Sequence, residues 1–96
     1  MVARATNYRP PFPHWTACIK QLLIDAENYR NDVSIQVEVI EQIFNIIVEN
    51  IIEVKTIPRF AAAVCQKLIE FQHSFDSFEN DFFQKFSFII DVLQQV

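Results

Sequence analysis

The sequence contains no glycine. Glycine takes positive φ without steric cost and lets backbone close on a phosphate. Phosphate-cradling loops and the nucleophile elbows of many hydrolases are built on it. Neither class fits a chain without it. Turns must use Asn, Asp, Ser and Pro instead, which suits helices joined by short polar loops. Cysteine is scarce too: Cys18 and Cys65 stand alone, with no CxxC pair. Two thiols kept in a reducing compartment account for them more simply than a disulfide or a metal pair. Positive charge is scarce in the body of the chain. After residue 14 there are six basic residues against twelve acidic ones, while residues 1 to 14 carry Arg4 and Arg9 and no acid. Binding nucleic acid by phosphate neutralisation needs clustered Lys and Arg, so the body is ill-suited to it.

A long apolar run is also missing. The most apolar stretch, residues 33 to 54, is interrupted by Glu38, Glu41, Glu49 and Glu53, so no membrane span is expected. Residues 1 to 13 hold three prolines and lack the apolar core of a signal peptide. These features predict an intracellular protein, cytoplasmic or nuclear, with no membrane partner.

Catalytic chemistry is thin as well. His14 and His73 are far apart, each beside an expected loop, and no HExxH spacing occurs. Ser74, Ser77 and Ser87 have no elbow around them. Glu38 and Glu49 fall on the solvent stripe of their helix, so the acids of that segment do not form an inward di-metal set. Each of these residues is better explained as a cap, a turn residue or solvated surface. No enzyme activity, cofactor or metal is expected.

Half of the 96 residues are hydrophobic, which predicts one folded domain and excludes disorder for most of the chain. The apolar residues recur at helical spacing. Residues 1 to 13 read as an extended, Pro-containing tail, with Phe12 and Trp15 as anchors for a strap or an aromatic groove. Residues 14 to 96 read as four antiparallel helices stacked as helical hairpins, either HEAT-like or a small bundle. The first runs from His14 to about Tyr29. The second runs unbroken from Val33 to Val54, with Ile40, Ile43, Phe44, Ile47, Val48, Ile51 and Ile52 on its main apolar face. Asp32 or Ser34 caps it. The third begins at Pro58, which fits a first turn, and runs to about Phe71. The fourth follows an Asp76 and Glu79 cap and runs to about Gln95.

Two features predict an exposed apolar surface. The second helix has a further apolar sector at Ile35, Val39 and Ile46, beyond its main face. Seven phenylalanines lie between Phe71 and Phe88, more than so small a core is expected to hold. Ile35, Val39, Ile46, Phe83 and Phe88 are therefore the expected partner surface, with Phe12 and Trp15 as further anchors. The closing Val96 stands on an apolar position, where a stacked-helix array would place a polar cap or a further repeat.

Three segments carry a family resemblance. The first is Val39-Ile40-Glu41-Gln42-Ile43-Phe44-Asn45-Ile46-Ile47-Val48-Glu49-Asn50. After a loop comes Ile57-Pro58-Arg59-Phe60-Ala61-Ala62-Ala63-Val64-Cys65, then Phe82-Phe83-Gln84-Lys85-Phe86. In this order they resemble the opening repeats of the middle domain of eukaryotic initiation factor 4G. That domain recurs in poly(A)-binding-protein-interacting proteins, nonsense-mediated decay factors and the large nuclear cap-binding subunit. The resemblance implies HEAT-like helix pairs and an adaptor in messenger-RNA translation or turnover, with a translation or decay factor as its protein partner. The family domain is longer, and residues 33 to 96 would supply only its first pairs. The cap-binding-protein motif Tyr-x4-Leu-hydrophobic fails here, because Tyr29 leads to Ser34-Ile35.

Two other functions stay open at this point. The apolar surface could close a symmetric homodimer. Arg4, Arg9 and Arg30 could bind RNA with Tyr8, Phe12 and Trp15 as stacking platforms, against the charge of the body.

Overall fold

The computed structural model of the protein describes residues 13–75 and 80–95. Among these residues all regular structure is helical. Five helices follow in order: α1 His14–Asn28, α2 Val33–Glu49, α3 Ile51–Val54, α4 Pro58–Ser74 and α5 Asn80–Gln94. The tail up to Phe12, the Asp76 and Glu79 cap, and Phe78 and Val96 lie outside the described residues.

Local chemistry sets the boundaries. Thr16 is buried, and its hydroxyl donates to the Pro13 carbonyl oxygen at 2.6 Å. Asp32 caps α2: its carboxylate accepts from the Ile35 N–H at 3.3 Å. Pro58 opens α4, where its missing N–H has no helical partner to lose. At the other end of α4 the Ser74 hydroxyl donates to the Phe71 carbonyl at 2.7 Å.

The expected unbroken helix from Val33 to Val54 is divided at Asn50. This residue sits at φ −119°, ψ 25°, outside helical geometry. Its side-chain amide donates to the Ile46 carbonyl at 2.8 Å. A short amide that bonds the preceding turn competes with the backbone ladder, and here it separates α2 from the single turn of α3.

Helix pairs pack through the turns. Gln36, near the start of α2, is buried and donates its side-chain N–H to the Ala26 carbonyl at 2.8 Å. That carbonyl lies in the last turn of α1, where acceptors run short of helical partners. The pairing binds α2 back along α1. The second pair, α4 and α5, runs in opposed directions. Cys65 lies under Ile90, and Gln72 reaches Ser87 at 3.4 Å. Pro58 and Ala62 meet Leu93 and Gln94.

The two pairs share one core. Ile19, Ile40, Ile43, Ile47, Val54, Leu68 and Phe86 are almost wholly excluded from solvent. Phe44 of α2 meets Phe86 at 5.1 Å and Phe82 at 6.1 Å between ring centroids. Phe82 and Phe86 are 4.9 Å apart at an interplanar angle of 76°, and Phe75 joins Phe82 at 5.5 Å. Edge-to-face rings place the positive rim of one on the negative face of the next. On the other layer Trp15 of α1 meets Phe60 of α4 at 5.7 Å. Further along, Leu23 and Glu27 face Lys67 and Phe71. Thus α1 and α4 run in the same sense, and so do α2 and α5.

The core differs from the expected one in three ways. Phe71, Phe75, Phe82 and Phe86 are all buried and Phe83 is half-buried, so it holds more aromatic volume than expected. Val39 is buried at 8% exposure, which corrects its place on a partner surface. It borders the arc of Gln36, Ile40, Ile43, Phe44 and Ile47, all of them buried. Conversely, Val48 and Ile52, expected inside, are 53% and 80% exposed. The break at Asn50 turns the chain so that, in α3, only Val54 is buried.

Two substitutions probe the apolar and the polar contacts of the interior in urea unfolding. Phe86→Ala should cost about 3–5 kcal/mol as a cavity in the ring cluster. Gln36→Ala should cost about 1–3 kcal/mol, because the Ala26 carbonyl loses its partner in a dry site.

Candidate functional site

Of the seven residues expected to bind a partner, the six that are described do not form one patch. Ile35 and Ile46 lie on one shoulder of α2, half-buried and packed against the core beside Val39. Phe83 is half-buried, with its ring 6.4 Å from Phe86. Phe83 and Phe88 are five positions apart, which turns them about 140° from each other on a helix. They cannot share a face. Phe12 lies outside the described residues. Trp15 is half-buried, its ring on Phe60, so it anchors α1 to α4. Its indole N–H is buried without a hydrogen-bond partner among the described residues.

Phe88 is the member of the set that stands free, at 60% exposure. On α5 the buried residues Phe82, Phe86, Ile89, Ile90 and Leu93 occupy one arc. Phe88 falls almost opposite that arc. It borders a depression of about 370 Å³ with Asp81, Gln84 and Lys85. Lys85 bridges to Glu41 of α2 at 3.6 Å. This exposed pair contributes little to stability. Its importance is positional, because it shows that α2 and α5 adjoin along the edge that carries Glu41 and Lys85. Val48 stands two turns beyond Glu41, about 20° from alignment with it. Ile52 follows one turn later, past the break.

Sequence reasoning missed Val48 and Ile52 as surface. A signal was available in Asn50, since an amide between two apolar turns is a common helix interruption. Gln36 was missed as well. It stands four positions before Ile40 and seven before Ile43, on the apolar face, where a polar residue needs a partner.

Other groupings offer less chemistry. Glu70 and His73 stand three apart on α4, a spacing seen in di-metal carboxylate helices. Glu70 instead meets Gln66 at 3.4 Å and Lys67 at 3.8 Å. Among the described residues no group of three His, Cys, Asp or Glu side chains is placed to hold a metal ion. Among them, too, no helix is long and apolar enough to cross a membrane. A groove of about 240 Å³ between α1 and α4 is lined by Leu23, Ile24, Phe71 and the rim residues Glu27 and Lys67. Its two charges are already satisfied, Glu27 by Arg30 and Lys67 by Glu70.

The cysteines differ. Cys18 is half-buried, with its sulfur 3.7 Å from His14 Nε2. Cys65 is buried, and burial pushes its thiol above the ordinary value. Below that ordinary value the folded and unfolded chains both keep the proton. Above it the unfolded chain loses the proton first, so this site's contribution to stability falls as pH rises. A thiol reagent at pH 8 should therefore label Cys18 on the folded chain and Cys65 only after urea is added. Mass spectrometry of the labelled peptides reads the difference.

Comparison with protein-family models, with curated proteins and with solved structures finds no match to the chain.

Proposed function

We propose that this protein is a helical interaction module that docks a partner protein on the outer face of α2, α3 and α5. The observation that carries the reading is Phe88, a large aromatic standing opposite the core arc of its own helix. A ring in that position adds nothing to the core it faces away from, and leaving it in water gains nothing. Val48 and Ile52 add exposed apolar surface on the adjoining helices. Apolar anchors within a polar rim are the usual anatomy of a docking surface.

The shared direction of α1 with α4, and of α2 with α5, is what two stacked helical hairpins produce, as in HEAT arrays. Val39 to Asn50 closes α2 and Ile57 to Cys65 opens α4, so two of the segments resembling the initiation factor 4G middle domain fall on consecutive helix pairs. From that resemblance we assign the module to messenger-RNA translation or turnover in the cytoplasm, as an adaptor with a translation or decay factor as partner. A symmetric homodimer through the same face is disfavoured by charge. It would set the acidic residues of one copy against those of the other.

Affinity capture on the full chain tests this, with and without nuclease, beside light scattering of the purified protein. The expected result is a monomer that recovers translation or decay factors in both arms and loses them on Phe88→Ser. That change should alter stability by no more than about 0.5 kcal/mol, since the ring is mostly exposed. A dimer that recovers only itself would replace the adaptor reading with the homodimer.

A further inference from the structure

The fold sorts its charges by layer. Helices α1 and α4 carry three acidic and three basic residues: Lys20, Asp25, Glu27, Arg59, Lys67 and Glu70. Helices α2, α3 and α5 carry six acids, Glu38, Glu41, Glu49, Glu53, Asp81 and Asp91, against one base, Lys85. One layer is neutral, and the other stands at −5. Lys85 is tied to Glu41. The other five carboxylates are all exposed, and none forms an ion pair with a described residue. The same layer holds Phe88, Val48, Ile52 and, at the start of α2, Val33, four of the six exposed large hydrophobics among the described residues.

From this pairing we propose that the outer face of α2, α3 and α5 receives a cationic amphipathic helix of a partner protein. The inference rests on the docking reading above and names the chemistry of what docks. The partner's apolar stripe covers Phe88, Val48 and Ile52, and its flanking Lys or Arg residues meet the unpaired carboxylates. Charge excludes the other occupants. A nucleic acid would bring phosphates to an acidic face. A second copy would bring the same acids.

Glu49 adds an independent point. It is the last residue of α2, and no basic residue shares that turn. A carboxylate there opposes the negative end of the helix dipole, so the position is electrostatically unfavourable for the isolated fold. A partner cation would offset it.

The test uses the full chain and a labelled synthetic helix with leucines on one face and lysines on the other. A control peptide carries glutamate in place of lysine. Binding is read by fluorescence anisotropy at about 50 and about 300 mM salt, which brackets the screening range. The proposal expects binding of the lysine peptide alone, weakened several-fold by salt and by the double change Glu49→Gln with Glu53→Gln. That variant should keep or raise its melting temperature, because it removes a charge opposed by the dipole. Glu27→Gln with Glu70→Gln changes net charge equally on the other layer and should leave binding unaltered. Equal losses from both double variants would show attraction to net charge alone and overturn the proposal. No binding of the lysine peptide would also overturn it, while loss of partner capture on Phe88→Ser would still stand for the docking reading. Binding of a single-stranded RNA oligonucleotide in its place would overturn both.

Discussion

Phe44 is the point at which the two helix pairs become one structure. It projects from α2, which is already bound to α1, and meets Phe82 and Phe86 of α5, which is already bound to α4. Each pair alone would leave one side of its apolar surface in water. A helix hairpin of this length cannot hold a buried core by itself, because surface grows relative to volume as a fold shrinks. The ring cluster removes that surface, and Phe86 at its centre is fully excluded from solvent. Trp15 on Phe60 does the same on the opposite layer, less completely. With both contacts made, the direction of every helix follows. So does the identity of the two outer faces.

Those faces then inherit different chemistry. The neutral layer makes local pairs: Glu27 with Arg30 of the following turn, Lys67 with Glu70 and Gln21 with Asp25. The acidic layer has one cross-helix pair, Lys85 with Glu41, and otherwise leaves its carboxylates to solvent. Nothing in core packing requires that division. Solvated positions on α2 could carry either sign at no cost to the core. The ring cluster holds the fold, while the division of charge is what the proposed docking reading explains.

The periodicity of the sequence made the helices legible, with ends at Pro58, Asp32 and Asn28 within about one residue of the structure. Two things escaped it. Asn50 divides a segment whose apolar repeat runs on unchanged, because periodicity records which side chains are apolar and ignores a side-chain amide bonding the previous turn. The candidate surface was read from surplus: more apolar residues than a small core should need. That argument finds Phe88. It misplaces Val39, since a face shared between a hairpin partner and a second pair is wider than one stripe. It also assigns Val48 and Ile52 to the core, since nothing in the repeat marks where the neighbouring helix ends.

The missing glycine bears on the site as much as on the fold. Without it, no described residue takes positive φ. The connections are then turns of ordinary backbone, pinned by Asp32, Asn50, Thr56 and Ser74 through their own side chains. Such turns are fixed by local side-chain bonds and do not rely on the backbone freedom that glycine gives. What is left to work with is the side-chain surface of packed helices. The outer layer of α2, α3 and α5 combines carboxylates without an ion pair among the described residues with exposed apolar groups. A charged and partly apolar helix face of this kind is the feature on which the proposed docking of a partner helix rests.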